Sequence, residues 1–185
     1  MVEGATVSLM VSALMVTQPR REAFEAQATA DFMAQTYVPR ELIVVRDPKD
    51  GTTLGELRNR AVMEARGEIV VVWDDDDRYD PHRIETQVYA LGDGDLNFID
   101  CLTLECRCGA RVQSRVRDWE CSMVARKARL VPYPKMNVGE DHAAVLAMAD
   151  RTRSRISRPD LYTKVAHAGN TIDHKAILRN AGHRC

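Results

Sequence analysis

A chain of 185 residues and 20.8 kDa, 45% hydrophobic and 29% charged, has the composition of a folded globular protein with its own core, which excludes disorder as its main state. Lys plus Arg number 26 against 27 Asp plus Glu, a formal net charge of −1, so bulk charge does not hold the chain to nucleic acid or an anionic membrane. The most apolar stretches, 7–16 and 69–73, fall short of the roughly 20 residues that span a bilayer.

The opening Met-Val-Glu-Gly-Ala lacks the basic flank and small-residue cleavage site of a secretory signal, which predicts a cytoplasmic protein. Apolar, β-branched runs at 6–16, 42–45 and 69–73 read as strands. They are nearly continuous rather than alternating, which predicts a parallel sheet covered on both faces by crossover helices. The first of these helices is expected over 21–35. The second carries clear punctuation: Thr53 and Glu56 have capping-box spacing, Leu54, Leu57, Ala61 and Ala65 share a face, and Gly67 is expected as a left-handed stop. Asp80 and Pro81 read as the N-cap and first-turn proline of a third helix ending at Gly92.

Beyond Gly94 the apolar runs shorten, at 96–104, 111–116 and 121–124, which predicts antiparallel or mixed strands. A loop at Pro132 and Pro134 follows, then a helix from Gly139, a strand over 161–166 and a last short helix over 173–180. The expected fold class is α/β, a single domain over 1–185 with a Rossmann-like half at about 6–92 and a second half at about 93–185. Five cysteines, Cys101, Cys106, Cys108, Cys121 and Cys185, are an odd count in a chain long enough to fold without staples, which favours reduced thiols. Cys106 and Cys108 have one residue between them and no matching second pair, a poor zinc pattern.

The densest chemical signal is Asp74-Asp75-Asp76-Asp77, directly after the buried run at 69–73. Open α/β sheets bind ligands at the carboxyl ends of their strands, where these carboxylates are expected to crowd. Adjacent anions repel unless a cation sits among them, and hard oxygen ligands suit Mg²⁺ or Mn²⁺, which in turn binds nucleotide phosphates. The alternative for such a run is a solvated acidic turn; the strand-end position favours the site.

Here a family resemblance becomes specific. Val11 to Thr17, Gln35-Thr36-Tyr37, Glu41 to Val45, Leu57-Arg58-Asn59, Ala65 to Glu68, Asp74 to Asp77 with Pro81, and Gly139-Glu140-Asp141 follow one another as in a family-2 glycosyltransferase. This is similar to the nucleotide-sugar-binding fold called GT-A, over about residues 7–170. The resemblance implies a sugar donor carried on a nucleoside diphosphate, most often UDP, a Mn²⁺ or Mg²⁺ cofactor, a D-x-D metal motif and an inverting transfer to an acceptor hydroxyl. By position it implies Asp74 at the ribose or nucleotide, Asp76 on the metal, Asp47 at the base, Thr17 beneath the nucleotide, and Arg58 near the base or the phosphates. Arg46-Asp47 stands where the family has a double aspartate. Asp141 is implied as the base that deprotonates the acceptor, with helix N-terminal acid as the plainer reading of Glu140-Asp141. For Asp47 and Arg58 the plainer readings are a surface turn and an exposed helix charge.

His167, in Val165-Ala166-His167-Ala168-Gly169-Asn170-Thr171, resembles the family's late metal-binding segment with one inserted residue, and His174 is the alternative. Arg107, Arg111, Arg115, Arg117, Arg126, Lys127 and Arg129 crowd the second half; they read as a solvated face or as a cradle for an anionic acceptor, nucleic acid or phosphorylated lipid. The short stretch after His167 predicts a shallow acceptor site or one completed by a partner chain or second copy. Two rivals stand beside this reading. One is a nucleotidyltransferase using the same carboxylates, against which Gln18-Pro19-Arg20 offers no glycine-rich phosphate loop. The other is a non-catalytic nucleotide-sugar-binding module, against which Asp76 and Asp141 stand together.

Overall fold

The structure, a computed structural model, describes residues 8–106 and 109–167. In chain order its elements are β1 (Val11–Thr17), α1 (Glu22–Met33), β2 (Arg40–Arg46), α2 (Leu54–Glu64), β3 (Ile69–Val72), β4 (Arg78–Tyr79), α3 (Arg83–Leu91), β5 (Leu96–Ile99), β6 (Thr103–Glu105), β7 (Arg111–Gln113), β8 (Val124–Arg126), α4 (Glu140–Ala147), β9 (Arg153–Ile156) and β10 (Tyr162–Val165). A six-stranded sheet runs β2-β1-β3-β8-β5-β9. β1 pairs in parallel with β2 and β3, β8 enters antiparallel between β3 and β5, and β9 closes the edge parallel to β5. A second sheet runs β4-β10-β6-β7. The α/β class with a central mixed sheet is therefore as expected.

The continuous apolar strands split by side-chain alternation between two cores. Val11, Ala13 and Met15 of β1 join Ile69, Val71 and Trp73 on the face covered by Ala28 and Phe32 of α1 and Ile84 of α3. Leu14, Val70 and Val72 face the other way, onto Leu57 and Ala61 of α2 and Val145 of α4. Covered on both sides, these strands have no need of a polar face.

α2 starts as its punctuation predicts: Thr53 accepts from Glu56 N, and the Glu56 carboxylate accepts from Thr53 N. Its end corrects the expectation for Gly67. Ala65 terminates the helix in an extended conformation, and Gly67 serves close approach instead, since a Cβ there would lie 2.6 Å from Met10 O and 2.8 Å from Ser12 N. α3 is a second correction. Asp80 accepts from His82 N at 2.9 Å, so Asp80 and Pro81 make a turn and the helix begins at Arg83 behind His82. Gly92, at φ +50°, does end it.

Residues 96–104 form two strands rather than one, and Glu120–Ser122 is a 3-10 turn ahead of β8, not part of the strand expected over 121–124. β9 was not expected because Arg153-Ser154-Arg155-Ile156 has no apolar run; as a half-buried edge strand it needs none. The expected helix over 173–180 and His174 lie outside the described residues. Cys106 is disulfide-bonded, against the expectation of reduced thiols, whereas Cys101 and Cys121 are free and buried. Among the described residues no helix is long and apolar enough to cross a membrane.

Candidate active site

The carboxyl ends of β2, β1 and β3 bring Asp47, Thr17 and Asp74 to one edge of the main sheet, where an open α/β sheet has its ligand crevice. After Trp73 the chain leaves the sheet, and the four aspartates take four different surroundings. Asp74 accepts from Arg58 Nη2 at 3.3 Å. Asp75, 1% exposed, accepts from the Thr17 hydroxyl at 2.6 Å and from Arg21 Nη1 at 2.7 Å. Asp76 accepts from Arg21 Nη2 at 2.6 Å and lies 2.9 Å from His167 Nε2. Asp77 is fully buried, accepting from the Tyr162 hydroxyl, Lys164 Nζ and Val165 N at 2.5, 3.1 and 3.0 Å.

The protein's own side chains supply part of the countercharge that such a run needs. Arg58, Arg21 and Lys164 supply side-chain positive charge to all four carboxylates, which offsets their mutual repulsion. Burial pushes Asp75 and Asp77 up to about 6. Burial also opposes ionisation of Asp76, but His167, Lys164 and Arg21 outweigh it and hold its carboxyl well below the usual range. Lys164 is likewise held charged against its burial, by Asp77 first.

An aromatic block fixes the acidic loop from behind. Trp73 stacks on Tyr79 with centroids 3.8 Å apart, and Tyr79 meets Tyr162 edge to face. The Tyr79 hydroxyl donates to Asp74 O at 2.8 Å. The fully buried Arg83 guanidinium lies 4.6 Å from the Tyr79 centroid and 4.7 Å from that of Tyr162, a desolvated cation–π contact.

The opposite wall comes from α4. Gly139, at φ +76°, turns the chain into the helix, so that Glu140 and Asp141 stand in its first turn. Arg58 Nε donates to Glu140 at 2.9 Å, and the same guanidinium reaches Asp74. One α2 side chain thus ties the end of β3 to the start of α4. Burial opposes its charge; Asp74, Tyr133 and Glu140 outweigh that and hold it protonated. Asp74, Asp75, Asp76, Arg21, Arg58, Glu140 and Asp141 line one cleft, together with Trp119, Glu120 and Arg117. Both Arg58 and the Glu140-Asp141 pair are therefore more than exposed surface charges.

Other expected residues stand apart. Thr17 is buried and its hydroxyl is engaged by Asp75. Asp47 is occupied by Lys49, whose Nζ donates at 2.8 Å and which holds its carboxyl below the usual range. Arg107 lies outside the described residues, and the described members of the basic cluster do not form one cradle. Arg126 and Lys127 lie near the start of β3, at the far end of the sheet, and donate to Gly92 O, Gly94 O and Ala65 O. Arg117 pairs with Glu120 at the cleft, and Arg111, Arg129, Arg153, Arg155 and Arg158 pair with Glu105, Asp95, Asp118 and Asp160.

Three cleft residues escaped sequence reasoning: Arg21, Lys164 and Glu120, the last 2.8 Å from His142 Nδ1. Only the position of Arg21 just past β1, ahead of an acidic strand end, offered a signal. Among the described residues no three His, Cys, Asp or Glu side chains form a metal-holding group. The donor set nevertheless suits a divalent cation: the Asp76 carboxylate fits Mn²⁺ or Mg²⁺, and the His167 nitrogen 2.9 Å away adds a ligand that Mn²⁺ takes more readily than Mg²⁺. To bind a cation through Nε2 the His167 ring must carry its proton on Nδ1.

Residues 25–150 match the family described as Glycosyl transferase family 2. No curated protein sequence matches the chain. Among solved structures, S. aureus TarS 1-349 in complex with UDP superposes with a TM-score of 0.71 at 16% identity, covering 94% of this chain and 64% of that one. The UDP-GlcNAc complex of TarS 1-349 gives 0.68 at 18% identity, with 88% and 60% covered, and S. aureus TarS gives 0.69 at 16%, with 92% and 38% covered. This chain thus spans 64% or less of the length of these structures. The shared fold is GT-A.

Proposed function

The chain belongs to glycosyl transferase family 2, and from that premise we propose that it is a divalent-cation-dependent, inverting transferase moving a sugar from a UDP-sugar to an acceptor hydroxyl. The observation that carries this reading is the Arg58 tie, which sets Asp74 to Asp76 and Asp141 on facing walls of one cleft. Fold neighbours crystallised with UDP and with UDP-GlcNAc support the donor class. In this reading residues from about 6 to 92 serve the nucleotide, and those from about 93 to 185 serve the acceptor and catalysis.

In this reading Asp74 meets the ribose, Asp47 the base, and Thr17 supports the nucleotide from below through Asp75. For Asp47 this requires Lys49 to release one carboxylate oxygen. Arg58 brings positive charge to the phosphate side of the cleft. Asp76 and His167 hold the cation, which when bound offsets the charge growing on the departing diphosphate. Asp141 takes the acceptor hydroxyl's proton as that oxygen attacks the anomeric carbon opposite the nucleotide. The bond from that carbon to the diphosphate oxygen breaks, its electron pair leaving with UDP, and no covalent enzyme intermediate forms. Among the described residues of the basic cluster Arg117 lines the cleft, so it is the residue that would meet an anionic acceptor.

The test is a panel of nucleotide sugars incubated with Mn²⁺, scoring slow transfer to water, which identifies the donor without knowledge of the acceptor. UDP release from one UDP-sugar, lost in chelator and in Asp76→Ala, is the expected result. Equally tight metal-free UDP binding by Asp76→Ala in calorimetry removes the proposed metal site.

A further inference from the structure

Arg21 precedes α1 and reaches across the mouth of β1, with its side chain 19% exposed. One guanidinium nitrogen sits on Asp75 Oδ1 at 2.7 Å and another on Asp76 Oδ2 at 2.6 Å, the latter 3.5 Å from His167 Nε2. Phe24 backs the arrangement: its ring centroid lies 5.4 Å from the Arg21 guanidinium carbon and 4.7 Å from the His167 ring. A positive side chain thus occupies the same Asp76 oxygen that faces His167, the pair that fits a divalent cation.

We infer that Arg21 is an internal counter-cation that competes with the divalent cation for Asp76, so that the cation and the donor's diphosphate bind as a coupled pair. This rests on the donor-site reading above. A dication and a guanidinium on one carboxylate oxygen repel each other within a few ångströms, where screening by solvent is weak. The diphosphate resolves the conflict because it offers the guanidinium a second anion and the cation further oxygen ligands. Arg21 keeps its bond to Asp75 and yields Asp76 when the nucleotide arrives. By linkage, UDP then tightens cation binding by the factor by which the cation tightens UDP, and Arg21 sets part of that factor.

Mn²⁺ titrated into the full chain and followed by the paramagnetic resonance of free aquo-Mn²⁺, without and with saturating UDP, reads this directly. The wild type should bind Mn²⁺ weakly alone and at least roughly tenfold more tightly with UDP. Arg21→Gln removes the charge, so its UDP-free Mn²⁺ affinity should rise roughly tenfold, the scale of one charge-assisted hydrogen bond released, and its UDP enhancement should shrink. Arg21→Lys, which engages one carboxylate at a time, should move the same way by less, and carries the test if the Gln variant does not fold by circular dichroism. Folded variants that bind UDP with Mn²⁺ yet show unchanged or weaker UDP-free Mn²⁺ affinity overturn the role of Arg21 and leave the donor site standing. Absence of Mn²⁺ binding by every protein even with UDP overturns the donor-site reading, and this inference with it.

Discussion

Replacing Asp141 by Asn keeps the side chain's shape and removes its basicity. Transfer should fall about 10²-fold or more while UDP affinity stays within a few-fold, the signature of a lost general base; wild-type turnover reassigns Asp141 to the helix N-terminus. Its neighbour should behave differently. Glu140 is buried against Arg58, so Glu140→Gln should weaken UDP binding and lower stability by about 1–3 kcal/mol, measured by calorimetry and urea unfolding. Adjacent carboxylates thus separate by what each touches. That Glu140-Asp141 is a candidate for chemistry was readable from the family resemblance. That Glu140 positions Arg58 was not, because the two are 82 residues apart and meet only when α2 packs against α4.

At the scale of the element, α2 is the part whose local sequence explains most of its structure. Thr53→Ala removes the acceptor for Glu56 N and should cost about 1 kcal/mol, about 2–4 °C in melting temperature for a chain of this length. Glu56 adds a pH signature. Lys135 and the Thr53 backbone N–H lower its carboxyl from 4.5 to about 2, so its contribution is present above pH 4.5 and lost as pH falls toward 2. The urea midpoint difference between wild type and Glu56→Ala should therefore be largest at pH 7 and shrink by pH 3. Gly55 links this helix to the site. A Cβ there would lie 1.9 Å from Pro134 O, so Gly55→Ala must push the start of α2 off the Pro134 loop, shift Arg58, and weaken UDP binding measurably by calorimetry. The sequence offered no reason for Gly55, since the obstacle lies in a loop about eighty residues later.

For the whole molecule, a ligand that binds only the folded state stabilises it by mass action. UDP and Mn²⁺ at about 100 times their dissociation constants should add about 2.7 kcal/mol and raise the melting temperature by about 5–10 °C, with little gain from either alone. A shift with UDP in chelator equal to that with Mn²⁺ contradicts the coupling. The arginine-rich second half also resolves at this scale. A count along the chain suggested one basic face, but β8 carries Arg126 to the far end of the sheet, and most of the other charges are spent on carboxylates or backbone carbonyls.

What the sequence by itself determined were features whose cause is local or periodic. The three parallel strands followed from runs too apolar for a half-exposed sheet, α2 from its capping box, and the position of the acidic run from its place after a buried strand. Only the tertiary structure decided which cation serves which carboxylate. Arg21 meets Asp75 and Asp76 more than fifty residues away, Lys164 meets Asp77 across 87, and Arg83 is buried among aromatic rings. Hydrophobic periodicity reports which side of an element faces inward. Charge pairing is settled by distances of about 3 Å between residues remote in sequence, and those exist only after the sheets and helices have packed.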